Sequence, residues 1–271
     1  MKIVTFNVNG IRARMHQLQE LVSNYKPDII GLQEIKVADE QFPVEEVQSL
    51  GYEVTHFGQK GHYGVATLSK IKPCEVRKGL PHDEPDAQRR MLCTVFETHQ
   101  GKLFVLNGYY PQGESRNHET KFPAKEKFYA DLTRYLNEHF SSTDQVILMG
   151  DFNISPEDKD IGIGEDNRKR WLRTGKCSFL PEEREWLGTL KSFGLQDCFR
   201  KHYPDVTDQF SWFDYRSKGF EDSPKRGLRI DYILATPSIY SACTQSQILF
   251  DIRAMDKPSD HCPVMSEFSV S

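Results

Sequence analysis

Nothing in the 271 residues approaches the apolar run of about 18 residues that a membrane-spanning helix needs, and the opening stretch, Met1 to Gly10, lacks the extended apolar core of a secretion signal. A soluble protein of the cytoplasm, without membrane partners, is expected. No Gly/Ser-rich linker, heptad array or long-period repeat interrupts the chain, and its 14 prolines are scattered. These absences exclude a tail, a fibre and a solenoid, and they favour one domain over residues 1–271 rather than two smaller ones. The six cysteines (Cys74, Cys93, Cys177, Cys198, Cys243 and Cys262) show neither a CxxC pair nor the close spacing of a structural zinc site. They read as reduced thiols buried as small hydrophobes. An excess of positive charge is missing too: 35 Lys and Arg stand against 39 Asp and Glu, a net charge of −4, which argues against a basic coat for nucleic acid or anionic lipid.

What is present is a globular balance of 38% hydrophobic and 27% charged residues, enough apolar material for a core of mixed elements. The runs Ile3–Val8, Ile29–Leu32, Leu103–Leu106, Val146–Met149 and Ile230–Leu234 are greasy on both faces and read as buried strands. Arg90–Thr98 and Ser266–Val270 alternate more and suit strands with one wetter face. Helices are fewer. Ile11, Met15, Leu18 and Val22 recur at helical spacing before Pro27, and Phe128, Leu132, Tyr135 and Leu136 mark a second helix. Pro181 with Glu182 and Glu183 opens a third, which runs to about Phe193, where Gly194 can end it. Some ten strands against three or four helices leave too few crossovers for a purely parallel sheet. The expectation is an α/β fold in which two mixed β-sheets pack together and helices cover them.

The strand ends carry the chemistry. Ile3–Phe6 runs into Asn7, Ile29–Leu32 into Gln33 and Glu34, and Val146–Met149 into Gly150, Asp151, Phe152 and Asn153. Layered α/β folds place function at such ends, because the sheet fixes the groups while the loops leave access. Asp231 interrupts the apolar run Arg229–Leu234, where an ionised carboxylate is costly without a partner, and Asp260 with His261 precedes the last strand. Singly these residues are ordinary: a Glu after a strand is commonly a cap, Gly-Asp-Phe-Asn favours a turn, and His is often a satisfied surface residue. The ordinary explanations would have to hold at all of these places at once, and one shared site replaces them. Oxygens of Asn, Glu and Asp are hard ligands that suit Mg²⁺ or Mn²⁺ rather than zinc. His261 is the imidazole able to donate to a phosphoryl oxygen or to move a proton, and an aspartate on its other nitrogen would fix the tautomer and favour the charged form.

Six segments together resemble the endonuclease/exonuclease/phosphatase superfamily: Asn7-Val8-Asn9-Gly10-Ile11-Arg12-Ala13, Leu32-Gln33-Glu34-Ile35-Lys36, Asn107-Gly108-Tyr109-Tyr110-Pro111, Gly150-Asp151-Phe152-Asn153, Arg229-Ile230-Asp231-Tyr232 and Ser259-Asp260-His261. Two longer stretches, Gly162 to Trp186 and Phe210 to Gly219, resemble the abasic-site endonucleases of bacteria within it, and the likeness covers nearly the whole chain. The resemblance implies a four-layer α/β sandwich of the DNase I-like kind. It implies a metal-dependent phosphodiester hydrolase of base excision repair that incises 5′ to abasic sites and degrades duplex DNA 3′ to 5′, with 3′-phosphatase and RNase H activities. Roles follow from the same resemblance. Glu34 would be the principal ligand of Mg²⁺, with Mn²⁺ as a substitute, and Asn7 and Asp260 would lie close to the metal or its waters. Asp151 would position or deprotonate the attacking water and Asn153 would orient it. His261 would stabilise the phosphoryl oxygen, Asp231 would orient the imidazole, and Tyr109 would contact the scissile phosphate or assist proton transfer near it. The formal base stays open, because coupled acids and an imidazole can trade that role. Trp212, Leu228 and Ile230 match the family's apolar pocket for a flipped baseless sugar, although most tryptophans are simply core.

The net charge conceals local clusters. Arg168, Lys169, Arg170, Arg173 and Lys176 fall within residues 167–176 with no acid among them and Trp171 in their midst, while Arg89, Arg90 and the stretch Arg216 to Arg229 add more. A charge run alone is commonly a solvated face, whereas interleaved aromatics favour a grip on phosphates. Arg90, Arg168, Lys169, Arg170 and Arg173 are the candidates for holding double-stranded DNA. Two other readings compete. A lipid or inositol phosphate phosphodiesterase on the same scaffold finds no membrane-binding stretch to support it, and a catalytically silent nucleic-acid-binding module would predict a broken set of site residues. The expected substrate is duplex DNA with abasic sites or blocked 3′ ends, and the expected actor is a monomer working at the bacterial nucleoid.

Overall fold

The computed structural model describes residues 1–269; Val270, the end of the last expected strand, lies outside the described residues with Ser271. The strands are β1 (Lys2–Asn7), β2 (Ile29–Gln33), β3 (Glu53–Phe57), β4 (Val65–Ser69), β5 (Glu75–Lys78), β6 (Met91–Thr98), β7 (Gly101–Tyr109), β8 (Gln145–Asp151), β9 (Gln196–Asp197), β10 (Asp231–Ala235), β11 (Cys243–Ile248) and β12 (Val264–Phe268). The helices are α1 (Met15–Tyr25), α2 (Val44–Gln48), α3 (Lys121–His139), α4 (Glu165–Thr174), α5 (Pro181–Lys191), α6 (Cys198–His202), α7 (Pro237–Ala242) and α8 (Phe250–Arg253). Two six-stranded sheets result, in the orders β11-β12-β1-β2-β4-β3 and β5-β6-β7-β8-β10-β9. Among the described residues only the β1–β2 and β7–β8 pairs are parallel, so both sheets are mixed. The expected α/β sandwich of two packed sheets with helices outside is the observed architecture.

Alternation along each strand explains the layers. In β1, Val4 and Phe6 pack outward against Leu18 and Leu21 of α1, while Ile3 faces the other way. Ile3, Ile29, Leu103, Val105, Ile147, Met149, Ile233 and Ala235, drawn from both sheets, share one cluster between them. On the far side, Val146, Leu148, Tyr232 and Leu234 meet Tyr129, Leu132 and Leu136 of α3 and Leu187 and Leu190 of α5. Both faces of the central strands are therefore buried, which is why their sequence shows no clean period of two.

The expected helices form, with different reach. The first is preceded by a 3₁₀ turn at Arg12–Arg14 and ends where Lys26 turns left-handed ahead of Pro27. The second begins earlier than its apolar spacing suggested, at Lys121. The third starts at Pro181 and stops at Lys191, with Gly194 at φ 118° in the loop beyond it. One cysteine departs from expectation: Cys74 is exposed, whereas the other five are buried and all six are free. No helix among the described residues is long and apolar enough to cross a membrane.

Candidate active site

The inter-sheet face changes character along its length. Ile3, Thr5 and Asn7 of β1 share it by the two-residue period, as do Ile29, Gly31 and Gln33 of β2, Val105, Asn107 and Tyr109 of β7, and Ile147, Met149 and Asp151 of β8. β10 runs the opposite way, so its first residue, Asp231, reaches the same end as the last residues of the others. Register levels these residues: Asn7 pairs with Gln33, and Asp151 with both Tyr109 and Asp231. Beneath them lies a buried polar tie between the sheets. Gln33 Nε2 donates to Asn107 Oδ1 at 2.7 Å and to Thr5 Oγ1 at 2.9 Å, and Asn107 Nδ2 donates to Ala66 O at 2.9 Å. The sheets approach so closely here that a Cβ on Gly31 would lie 2.9 Å from the Asn107 side chain.

Two loops add the remaining groups. Glu34 leaves β2 in the left-handed region at φ 54°, a conformation held because Gly10 N donates to its carbonyl at 2.8 Å and Ile35 N to Gly64 O at 3.2 Å. Ser259 Oγ donates to Asn7 O at 2.6 Å, which pins the Ser259-Asp260-His261 turn to the end of β1.

The imidazole of His261 is buried between two carboxylates. Nδ1 lies 2.9 Å from Asp231 Oδ2, and Nε2 lies 3.7 Å from Asp151 Oδ2. Burial alone would lower its pKa, but Asp231 and then Asp151 push it up to about 10, which favours the charged ring, with Nδ1 held by Asp231 and Nε2 left without a hydrogen-bond partner among the described residues. Asp231, the charge that needed a partner, also accepts from Ser211 Oγ at 2.6 Å. Burial, aided by Asp231 and Glu34, raises Asp151 to about 7 against the pull of His261. Asp151 Oδ2 accepts from Asn7 Nδ2 at 2.9 Å, and its Oδ1 accepts from Asn153 N at 3.1 Å. Tyr109 is held well above the usual phenol range by burial and by Glu34 and Asp151, so its hydroxyl remains a donor.

Beside this group is an oxygen-rich corner. Asn7 Nδ2 bridges from Asp151 to Glu34 Oε2 at 3.1 Å, and Lys36 Nζ pairs with Glu34 Oε1 at 2.9 Å. Asp260 accepts from Asn9 Nδ2 and from Trp212 Nε1, each at 2.9 Å. Burial opposes its ionisation, yet His261 and these donors carry its pKa below the ordinary value. Asp151, Asp231 and His261 have ligand atoms within 4.8 Å of one another, close enough to hold a metal ion. The chemistry separates the two groups: a protonated imidazole has no lone pair for a cation, whereas Glu34 and Asp260 are carboxylate donors of the kind a hard divalent cation takes. The residues present fit such a cation.

A cavity of about 290 Å³ opens over these groups, lined on one side by Glu34, Tyr109, Asp151, Asp260 and His261 and on the other by Trp212, Leu228, Ile230 and Trp171. Trp212 is half-buried rather than core, and it joins the two sides because its indole holds Asp260. Asn9, Lys36, Ser178 and Ser211 fall in the segments that carry the resemblance but have no role assigned by it, and Gln112 lies outside them; all are polar residues in loops, where polarity carries no signal. Trp171 and Lys176 read in the sequence only as part of a charge run, although both line the cavity and Lys176 Nζ stands 3.9 Å over the Trp171 ring.

The basic candidates divide. Arg90 is buried, its guanidinium between the rings of Tyr63 and Tyr109 at 4.4 and 4.9 Å. Arg168 pairs with Asp158 at 2.8 Å and Glu165 at 3.3 Å, and Lys169 approaches Glu165 at 3.5 Å. Arg170 donates to Asn167, and Arg173 has no ion pair among the described residues. Arg229, counted with the basic stretch before Asp231, is a correction: it is buried against Asp160 at 2.7 Å and Asp197 at 2.8 Å and faces no solvent.

The profile of the Endonuclease/Exonuclease/phosphatase family matches residues 4–261, a span that takes in both sheets and the site at their end, and the chain belongs to that family. The family is metal-dependent. Among its relatives, the chain is 60% identical to Exodeoxyribonuclease III of Haemophilus influenzae over 99% of this chain and 100% of that one. It superposes on an AP endonuclease from Archaeoglobus fulgidus with a TM-score of 0.90 and 32% identity, covering 100% of both chains. It also resembles a 3′ phosphatase from Neisseria bound to a product DNA hairpin, with a TM-score of 0.89 and 35% identity over 99% of each chain.

Proposed function

We propose that this chain is a Mg²⁺-dependent nuclease of DNA repair, a single catalytic domain acting as a monomer, that hydrolyses the phosphodiester 5′ to an abasic site and trims duplex DNA 3′ to 5′. The carrying observation is the juxtaposition of an imidazolium locked by Asp231, a raised aspartate at 151 and the Glu34–Asp260 corner, all facing one cavity walled by Trp212, Leu228 and Ile230. Removal of a 3′-phosphate uses the same chemistry on a terminal phosphorus, and an RNase H activity would accept the RNA strand of a hybrid. The substrate is chromosomal DNA in the bacterial cytoplasm.

The residues divide the work as follows. Glu34 and Asp260, with Asn7 beside them, would hold Mg²⁺, or Mn²⁺ in its place. Such a cation supplies Lewis-acid stabilisation of the phosphoryl oxygens and the departing alkoxide. His261 donates from Nε2 to a phosphoryl oxygen, with its other nitrogen fixed on Asp231. Asp151, with a pKa brought near neutrality, accepts the proton of the attacking water, and Asn153 orients that water. Tyr109 donates to the scissile phosphate. Arg90, Arg168, Lys169, Arg170 and Arg173 would contact the DNA backbone. A baseless sugar fits between Trp212, Leu228 and Ile230, where a normal nucleotide is excluded by size.

The test uses a duplex with one abasic site, an intact duplex and an inositol phosphate, each with Mg²⁺ and with EDTA. Early incision of the abasic duplex, abolished by EDTA, is expected. Equal rates on both duplexes, or turnover of the inositol phosphate instead, would contradict the proposal.

A further inference from the structure

α3 and α5 contribute two opposite charges that the site described above does not use. The side chains of Lys125 and Glu183 are both completely buried, with Nζ and Oε1 2.5 Å apart. Burying such a pair costs more than it returns unless the remaining donors and acceptors are also satisfied. Here they are satisfied, and the partners all belong to the cavity wall or its immediate support. Lys125 Nζ donates to Asn153 O at 2.8 Å and to Gln112 O at 3.2 Å. Glu183 Oε2 accepts from Ser178 N at 2.9 Å and Leu180 N at 2.8 Å. Asn153, Gln112 and Ser178 line the cavity and come from three separate connections, after β8, after β7 and between α4 and α5.

Capping α5 would require only the glutamate half of this arrangement. The lysine half acts on the site. Asn153 sits at φ 52°, its Nδ2 donates to Tyr110 O at 3.0 Å, and its backbone amide holds Asp151 Oδ1. A donor on its carbonyl therefore fixes the orientation of the residue that carries both contacts. The loop after β7 also closes on the lysine stem: a Cβ on Gly113 would lie 3.0 Å from Lys125 Cδ and from Cys177 Sγ.

We propose that Lys125 and Glu183 are positioning residues for phosphodiester hydrolysis, a buried clamp that sets Asn153 against Asp151 and holds the Gln112 and Ser178 walls in register. The inference rests on the function proposed above. It is tested by steady-state incision of the abasic duplex, with thermal unfolding alongside, in wild type, Lys125→Met, Lys125→Arg and Glu183→Gln, each assayed well below its own midpoint. In Lys125→Met, kcat is expected to fall about tenfold or more, the scale of a small misplacement of reacting groups, while KM changes much less. Lys125→Arg, which keeps charge and donors, should restore most of kcat. If Lys125→Met does not fold, Glu183→Gln gives the same reading, because its amide oxygen still accepts from Ser178 and Leu180 while the charge facing Lys125 is gone. A lowered midpoint with kcat unchanged overturns the inference and leaves a structural ion pair. Wild-type protein that fails to incise the duplex overturns the functional reading and this inference with it; normal wild-type incision with undiminished kcat in the variants overturns this inference alone.

Discussion

Asp151→Asn is expected to leave a folded protein that incises an abasic duplex about 10³-fold more slowly under single-turnover conditions with saturating Mg²⁺, the middle of the range for losing the general base proposed at this position. The side chain is buried at the end of β8, and burial raises its pKa to about 7, so its charge is a burden on the fold. Replacing it with a neutral amide of the same shape removes that burden, and the thermal midpoint should hold or rise. What is lost is an acceptor: Asn7 Nδ2 and Asn153 N each donate to one oxygen of the Asp151 carboxylate, with His261 Nε2 3.7 Å away, and an amide can return only one oxygen to them. Loss of less than tenfold would mean that proton acceptance lies elsewhere among the coupled groups.

The second large effect falls on stability. Asp160→Asn should cost about 3 kcal/mol, the low end for breaking a buried ion pair because Asp197 still faces Arg229. That corresponds to roughly 10 °C in the melting midpoint. Asp160 sits between Arg229 at 2.7 Å and Arg200 at 2.5 Å, and Arg229 N donates to its carbonyl at 2.9 Å. Burial alone would raise its pKa, yet Arg229 and then Arg200 hold it below the ordinary carboxylate value. A depressed folded pKa contributes stability that is complete above the unfolded value of about 4 and is lost as pH falls from there through the folded one. Wild type should therefore lose stability on acidification below about pH 4, and the variant should lose less over the same interval. Parallel acid profiles for the two proteins, from denaturant unfolding, would show that this carboxylate is not the linked group.

Why Arg229 was read as basic surface, and why other parts of the fold were readable, has one physical origin. Apolar runs such as Ile3–Val8 and Val146–Met149 announced buried strands because no solvated strand tolerates them. β3, β5 and β11 carry polar or alternating residues at the margins of the sheets, and β9 is two residues long, so none has enough periodicity to stand out. Asn7, Glu34, Asp151 and Asp231 were visible because oxygen-bearing groups interrupt or end apolar runs. Lys36, Asn9 and Ser211 lie in loops, where a polar residue is the default. A charge in sequence carries no record of its depth: Arg229 and Lys125 are buried because Asp160, Asp197 and Glu183 meet them from elements 32 to 69 residues away in the chain.

The central claim is hydrolysis: water attacks the phosphorus, leaving a 3′-hydroxyl and a 5′-phosphate. Incision of the abasic duplex in heavy-oxygen water, followed by mass analysis of the ends, tests it directly. One heavy oxygen in the 5′-phosphate beside the baseless sugar, with an unlabelled 3′-hydroxyl on the other fragment, is the predicted result. An unsaturated 3′ end with no label in the phosphate would mean elimination at the sugar, and would contradict the account.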